Sequence, residues 1–420
     1  MEILSTGEKI KRARVYKGIT LKELCRDRIS ISKMSCIENG KIKADKESLK
    51  YIAEKLQIDY NYLTQDVYEQ IKLNIDTINK SNYSLDKLDE MIGYNLEYSC
   101  RYNYTDLALE LTHTLFKLYI ENNKLERIQL LISRYYELYQ SSKNNQDIIT
   151  YYNDMAGFFM KTCEYHEAIS YYSRIREVFE KEKLPYNDKY VYACFYEGIC
   201  YKNINLIEKA YDCLKKVIDY TDEFKTDKDK GDYYHEFAIV NILLYKVEAE
   251  KYLNMALQYK KSDSIEFASF KEKNGEIYFK VYQVDRAMDE IREAIKIYPR
   301  TEKHGCGDFL IKSISTLYKN KQFDEAFKYT DEALDLAINI NDEKLIEKAY
   351  YFKGMIHQKR HEYIQAEMYM NLATDFLLRF ANNEERYIRY NEMADLYYNL
   401  NELKDSIKYF TLAIQLEKKI

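Results

Sequence analysis

A small residue returns every 38–42 positions along most of the chain, at Ala168, Ala210, Ala249, Ala287, Ala326, Ala366 and Ser406. A second small residue follows seven positions later in the last five units, at Ala256, Ala294, Ala333, Ala373 and Ala413. Twelve positions before the first stand Ala156, Gly198, Gly275, Gly354 and Ala394, with an aromatic three residues on at Phe159, Tyr201, Tyr278 and Tyr397. Helices approach closely only where the side chains between them are small. The pattern therefore describes antiparallel helix pairs, small face to small face, with an aromatic plug beside the contact. Steps of 40 back from Ala168 reach Ile128 and Leu88 in similar contexts. The units at Ala249 and Ala326 carry Phe237 and Ile314 at the small first-helix position and are weaker members.

The rest of the composition agrees. Among 420 residues there are 11 Gly and only 2 Pro, too few breakers for anything but an all-α chain. The 45 Tyr beside no Trp fit the codon bias of an AT-rich genome better than a tyrosine chemistry. The cysteines, at 25, 36, 100, 163, 194, 200, 213 and 306, form no C-x-x-C and read as buried thiols of a reducing cytoplasm. The N-terminal MEILSTGEKIK has no apolar signal core, and no run approaches the length of a membrane span.

Residues 1–66 differ from the body. They hold 14 Lys and Arg against 10 Asp and Glu, whereas the whole chain holds 64 against 69. A basic head on an acidic body suits a head that meets phosphates. Thr20 to Lys41 reads as two short helices around a tight turn. Leu21, Leu24 and Cys25 share one face, Ser30 or Ser32 caps the second helix, Met34 and Ile37 face inward, and Gly40 ends it. The outward face is Ile31, Ser32, Lys33, Ser35 and Cys36, small or basic enough to enter a groove about 12 Å wide. Helices are also expected over Thr6 to Tyr16, Asp45 to Gln57 and Asp59 to Thr64, and a helical linker over 67–80.

The blocks Ile10 to Arg14, Lys17 to Leu24, Ile37 to Lys41, and Leu49, Ile52, Ala53 and Leu56 to Ile58 resemble the Cro/repressor-type (XRE) helix-turn-helix family. That resemblance implies a five-helix DNA-binding domain in which Arg14 pairs with Glu38. One departure is Arg28-Ile29, where the family usually has a glycine before the second helix. The DNA-facing set is then Ser30, Ile31, Ser32, Lys33, Ser35 and Cys36, with Lys41 and Lys43 on phosphates.

Residues 81–420 resemble the tetratricopeptide repeat with a period nearer 40 than 34, which implies longer helices or loops. Such pairs stack into a right-handed superhelix with a concave face. By register that face includes Asn153, Lys161, Tyr192, Lys202, Tyr234, Asn241, Glu272, Glu276, Tyr318, Tyr351 and Asn391. Amides and tyrosines suit an extended peptide, whose backbone offers a donor and an acceptor per residue. The layout of head and body resembles the RRNPP family of peptide-responsive regulators, and within it the clostridial regulators that couple sporulation and toxin production. The resemblance implies a cytoplasmic homodimeric transcription regulator that binds near-palindromic double-stranded DNA. A short quorum-sensing peptide in the groove would alter the dimer, for which Tyr387 to Ile420 is the candidate interface. The alternative is a repeat scaffold that binds and inhibits a response regulator or another protein.

No catalytic reading competes. There is no G-x-x-x-x-G-K-[ST] and no G-x-S-x-G. His357 and His361 lack a third ligand, with Glu362 expected on another face, so no metal or other cofactor is expected. His304 to Gly307 reads as a glycine-rich connection into the next helix, and Lys225 to Asp232 as a solvated loop.

Overall fold

The computed structural model describes residues 2–142 and 144–419, and its regular elements are helices. The chain divides into two compact units, residues 1–204 and 205–420.

The first unit opens with α1 (Thr6–Tyr16), α2 (Leu21–Cys25), α3 (Ile31–Glu38), α4 (Lys46–Leu56) and α5 (Tyr60–Thr64). Each is started by an oxygen-bearing side chain that accepts a free N–H: Ser5, Thr20, Ser30, Asp45 and Asp59. Ile10, Leu24, Met34, Ile52, Leu56 and Leu63 are fully buried together in one small core. The segment over 67–80 is α6 (Val67–Asn79), and it is packed rather than bridging. Its Val67, Ile71, Ile75 and Ile78 are buried in the core of the helices that follow. Those are α7 (Leu85–Arg101), α8 (Thr105–Glu121), α9 (Leu125–Ser141), α10 (Asn145–Lys161), α11 (Tyr165–Lys181) and α12 (Asp188–Asn203).

The second unit begins with α13 (Ile207–Lys215) and a 3-10 turn at Ile218–Glu223. It continues as pairs: α14 (Asp227–Leu243) with α15 (Ala249–Lys260), and α16 (Ser264–Lys280) with α17 (Val284–Ile297). Next are α18 (Lys303–Lys319) with α19 (Phe323–Ile340), α20 (Glu343–Lys359) with α21 (Tyr363–Leu377), and α22 (Asn383–Asn399) with α23 (Leu403–Glu417). The long period comes from long helices, commonly 17 residues.

The small positions are where the pairs touch. Ala287, Ala294, Ala326, Ala366 and Ala373 are completely buried. A Cβ on Gly275 would stand 2.5 Å from Ile291 Cγ1 and 3.0 Å from the Ala287 carbonyl, and one on Gly354 would stand 2.7 Å from Met370 Cγ. Where Phe237 replaces the small residue, its ring packs 4.6 Å from that of Tyr252.

Four local expectations are overturned. Gly305 and Gly307 lie inside α18, not in a connection. They let it approach its neighbours: a Cβ at Gly307 would meet Leu345 Cδ1 at 2.6 Å, and one at Gly305 the Tyr298 hydroxyl at 2.6 Å. The charged run from Asp227 is the first turn of α14, because Thr226 caps it and Asp227 and Asp229 favour a helix N-terminus. Glu362 does not point away from His357, since the two are hydrogen-bonded at 2.5 Å. The described residues hold no cluster of His, Cys, Asp or Glu suited to a metal. Nor are all the thiols buried, since Cys163 is exposed and Cys36 and Cys100 are half-buried. No helix among the described residues is long and apolar enough to cross a membrane.

The turns inside the pairs reuse one device. A single non-glycine residue takes positive φ: Asn123, Cys163, Tyr245, Tyr282, Lys321, His361 and Asn401. Asparagine tolerates this region; the left-handed conformation costs other L-residues about 1–2 kcal/mol. Tyr282 sits at φ +61° and is 87% exposed. Tyr282→Asn therefore removes strain and little packing. Its chemical-denaturation midpoint is expected to rise, by up to about 1 kcal/mol of stability; an unchanged or lower midpoint would refute the strain.

Candidate nucleic-acid interface and peptide groove

Helix α3 is positioned from both ends and from below. At its start the Ser30 hydroxyl accepts the Lys33 N–H at 3.1 Å, so this residue's oxygen is committed to the cap. At its end Gly40 takes φ +70°. Its N–H reaches the Ile37 carbonyl at 3.0 Å, and the Lys41 N–H reaches that of Cys36 at 2.8 Å. This is the two-bond closure that terminates helices at a left-handed residue. The chain enters α3 through Arg26 at φ +43°, and Ile29 is tucked into the core. Beneath α3, a Cβ on Gly7 would lie 2.3 Å from the Ile37 carbonyl oxygen, so α1 and α3 cross backbone to backbone.

Arg14 and Glu38 form a two-armed pair at 2.7 and 3.0 Å, and a third arm of Arg14 holds the Ile19 carbonyl at 3.0 Å. The Glu38 side chain is 4% exposed. The pair thus ties α1, the turn before α2 and the end of α3 together. Lys9 is the second buried cation. It donates to the Tyr62 and Gln65 carbonyls, both at 2.7 Å, at the C-terminal end of α5, where a cation is favoured. Burial pushes its ammonium below the ordinary lysine range. Gly7 and Lys9 gave no sequence signal, because their partners lie some thirty and fifty residues away.

What remains outside is narrow. Ile31, Ser32 and Lys33 are exposed, whereas Ser35 and Cys36 are half-buried. Lys41 and Lys43 are exposed beyond the end of the helix. Lys33 pairs with Asp45 at 3.0 Å. The Ser48 N–H, and next Lys33, hold that carboxyl well below its usual range. Both partners are largely exposed, so the pair is weak and exchangeable.

In the second unit, α16, α18, α20 and α22 line a groove of 780 Å³, within the usual range for ligand sites. Its apolar floor includes Ile311, Phe352, Leu377 and Ile388. Of the residues expected on a concave face, Glu276 and Tyr351 line it. Tyr318 supports its wall, ring to ring with Phe352 at 6.0 Å. Glu272 is fully buried, held by Thr316 at 3.0 Å and Lys312 at 2.5 Å, and is corrected to a wall strut. Asn241 is also buried, its amide donating to the Phe237 carbonyl at 2.7 Å within its own helix. Tyr234 is buried against Tyr259. Asn391 is half-buried and donates to the Tyr387 carbonyl at 3.1 Å. In the first unit Asn153 and Lys161 are exposed, Tyr192 stacks on Tyr196, and Lys202 is half-buried. Register along one helix ignores the neighbouring pair, and so it misplaces the residues that this pair covers.

Sequence reading missed the polar centre of the groove. Arg389 is 5% exposed and donates to Glu347 at 2.6 Å and to Glu392 at 3.2 Å. It lies 4.5 Å from the centre of the Tyr351 ring, and the Tyr351 hydroxyl donates to Glu392 at 2.7 Å.

No family model matches the sequence, and no curated protein matches it. Solved structures similar to it include apo RapI, at 12% identity over 74% of this chain and 98% of that chain, TM-score 0.48. The apo form of the quorum sensor NprR from B. thuringiensis gives 14% identity over 84% and 100%, TM-score 0.48. Bacillus thuringiensis PlcR, in complex with the peptide PapR7 and DNA, gives 18% over 61% and 94%, TM-score 0.34.

The Arg14–Glu38 pair sets a stability test. Arg14→Met leaves a buried carboxylate alone and is expected to cost about 3 kcal/mol. The Arg14→Met/Glu38→Met double variant should recover most of that in urea titrations of the full chain. Additive losses would show that the pair is not coupled.

Proposed function

We propose that this chain is a DNA-binding transcription regulator controlled by a short peptide held in the repeat groove. Residues 1–66 form the DNA-binding domain, α6 follows packed on the first helices of the body, and residues 81–420 bind the peptide and pair two copies. The observation that carries the reading is α3. Its Met34 and Ile37 are buried, its frame is fixed at both ends, and its Ile31-Ser32-Lys33 face is exposed on a basic head. A helix held this way enters a major groove, and two copies reach successive grooves roughly 34 Å apart. Ser32 and Lys33 face base edges, Ile31 and Cys36 contribute fit against a base or thymine methyl, and Lys41 and Lys43 meet phosphates. Ser30 and Ser35 border the contact. The RRNPP resemblance and its quorum-sensing role agree with this reading.

One observation favours the alternative, a head that docks on a response regulator or another protein: Lys33 is already engaged by Asp45. The two readings separate on salt and on the variant. Genome-wide capture with the wild type should give peaks sharing an inverted repeat, lost in Ser32→Ala/Lys33→Ala. Lys33→Ala alone is expected to weaken specific binding by about 1–3 kcal/mol. Affinity for captured sites should fall steeply with salt. Salt-insensitive retention of a protein partner with no captured DNA would replace this reading by the alternative.

The homodimer has its own support. The last helix, α23, exposes Leu403, Ile407, Phe410 and Ile414 along one side, and among its residues only Ala413 is buried. A stripe with this spacing is the face by which a helix meets a partner. Ile407→Asp/Phe410→Asp is expected to shift the protein to monomer in analytical ultracentrifugation. A dimer that persists would place the interface elsewhere.

A further inference from the structure

The groove holds one polar group that its own protein leaves unused. Arg389 has three nitrogens. Nη2 is spent on Glu347 and Nε on Glu392, while Nη1 is buried with no acceptor among the described residues. A buried donor without an acceptor is costly, and a charged one more so. The guanidinium has little freedom to turn and search, because both carboxylates and the Tyr351 ring fix its plane. It is a donor held in advance of its acceptor.

Glu347 and Glu392 already hold the guanidinium on two sides, and Lys280, Lys312, Lys319 and Lys348 also line the groove, so its lining selects no one sign of charge. Glu392 adds the complement. It is 25% exposed, and each of its oxygens takes one bond, from Tyr351 or from Arg389, which leaves a lone pair on each. A carbonyl acceptor and an N–H donor side by side are what one residue of an extended chain presents.

The length of the groove fits. Its wall is built from α16, α18, α20 and α22. Three helix-to-helix gaps of about 9 Å span about 27 Å. That is the reach of about eight extended residues. We infer that Arg389 and Glu392 form a main-chain clamp for an extended stretch of peptide, Nη1 donating to a backbone carbonyl and Glu392 accepting a backbone N–H. The inference rests on the proposed reading of the groove as a peptide site.

The test uses the full chain and a display library of random octapeptides. The tightest selected peptide is synthesised together with a set in which each backbone amide in turn becomes an ester, which removes an N–H and weakens a carbonyl acceptor. Titration calorimetry is run on the wild type, Arg389→Lys and Ile388→Arg. Arg389→Lys keeps a charge for Glu347 but gives up the Nη1 arm; Ile388→Arg fills the groove floor. One ester position is expected to weaken wild-type binding about tenfold, the weight of one charge-assisted hydrogen bond, and to have almost no effect in Arg389→Lys. If Arg389→Lys fails to fold by circular dichroism, Glu392→Gln reads the same coupling with the Arg389–Glu347 pair kept. Ester effects that are equal in wild type and variant, or absent throughout, overturn the clamp and leave the groove reading intact. Selected peptides that bind Ile388→Arg as well as wild type overturn both.

Discussion

The repeat body depends on how near two helices can come. At Gly275 one added methyl would collide with Ile291 Cγ1 at 2.5 Å and press on the Ala287 carbonyl at 3.0 Å. At Gly354 the Met370 side chain fills the place where a Cβ would stand. Dispersion and apolar burial fall off over fractions of an ångström, so a pair pushed apart by one methyl loses contact along its whole length. Glycine and alanine at these points are therefore a condition for the pair, and the period of the chain is the period of that condition. The head obeys the same constraint once, at Gly7 beneath α3.

This explains which parts were legible in the sequence. Small residues at fixed spacing can be counted, and so the all-α class and the helix pairs could be read directly. Capping is also local, so Asp45 and Gly40 announced the limits of their helices, and the cap of α3 was narrowed to Ser30 or Ser32, of which Ser30 serves. Glycines were misread where the same residue type serves two purposes. Gly305 and Gly307 resembled a break, yet they occupy a helix for the same reason as Gly354, close approach of a neighbour.

The site was less legible, and for a physical reason. Helical register assigns a residue to a face but says nothing about what covers that face. Asn241, Tyr234 and Glu272 share the register of Tyr351, yet neighbouring residues close over them. The decisive cluster joins Glu347 and Tyr351 on α20 to Arg389 and Glu392 on α22, partners about forty residues apart. Each is an ordinary charged or aromatic residue in its own helix. Only the stacking of consecutive pairs turns them into a group.

That same stacking bears on how a ligand in the groove could reach a dimer. A solenoid transmits through nearest neighbours, since each pair touches mainly the next. Arg389 and Glu392 lie on α22, and the helix paired with α22 is α23, which carries the bare stripe of Leu403, Ile407 and Phe410. One helix therefore has the proposed clamp on one side and the proposed partner face beside it. A peptide shifts self-association only by the difference in its affinity for the two arrangements. Contacts made through α22 are the ones that a change in the α22–α23 packing would alter. Contacts to the distant end of the groove, on α16, add affinity without bias. The peptide positions that matter for switching should therefore be those nearest Arg389, and the positions that matter only for holding on should be those nearest Glu276.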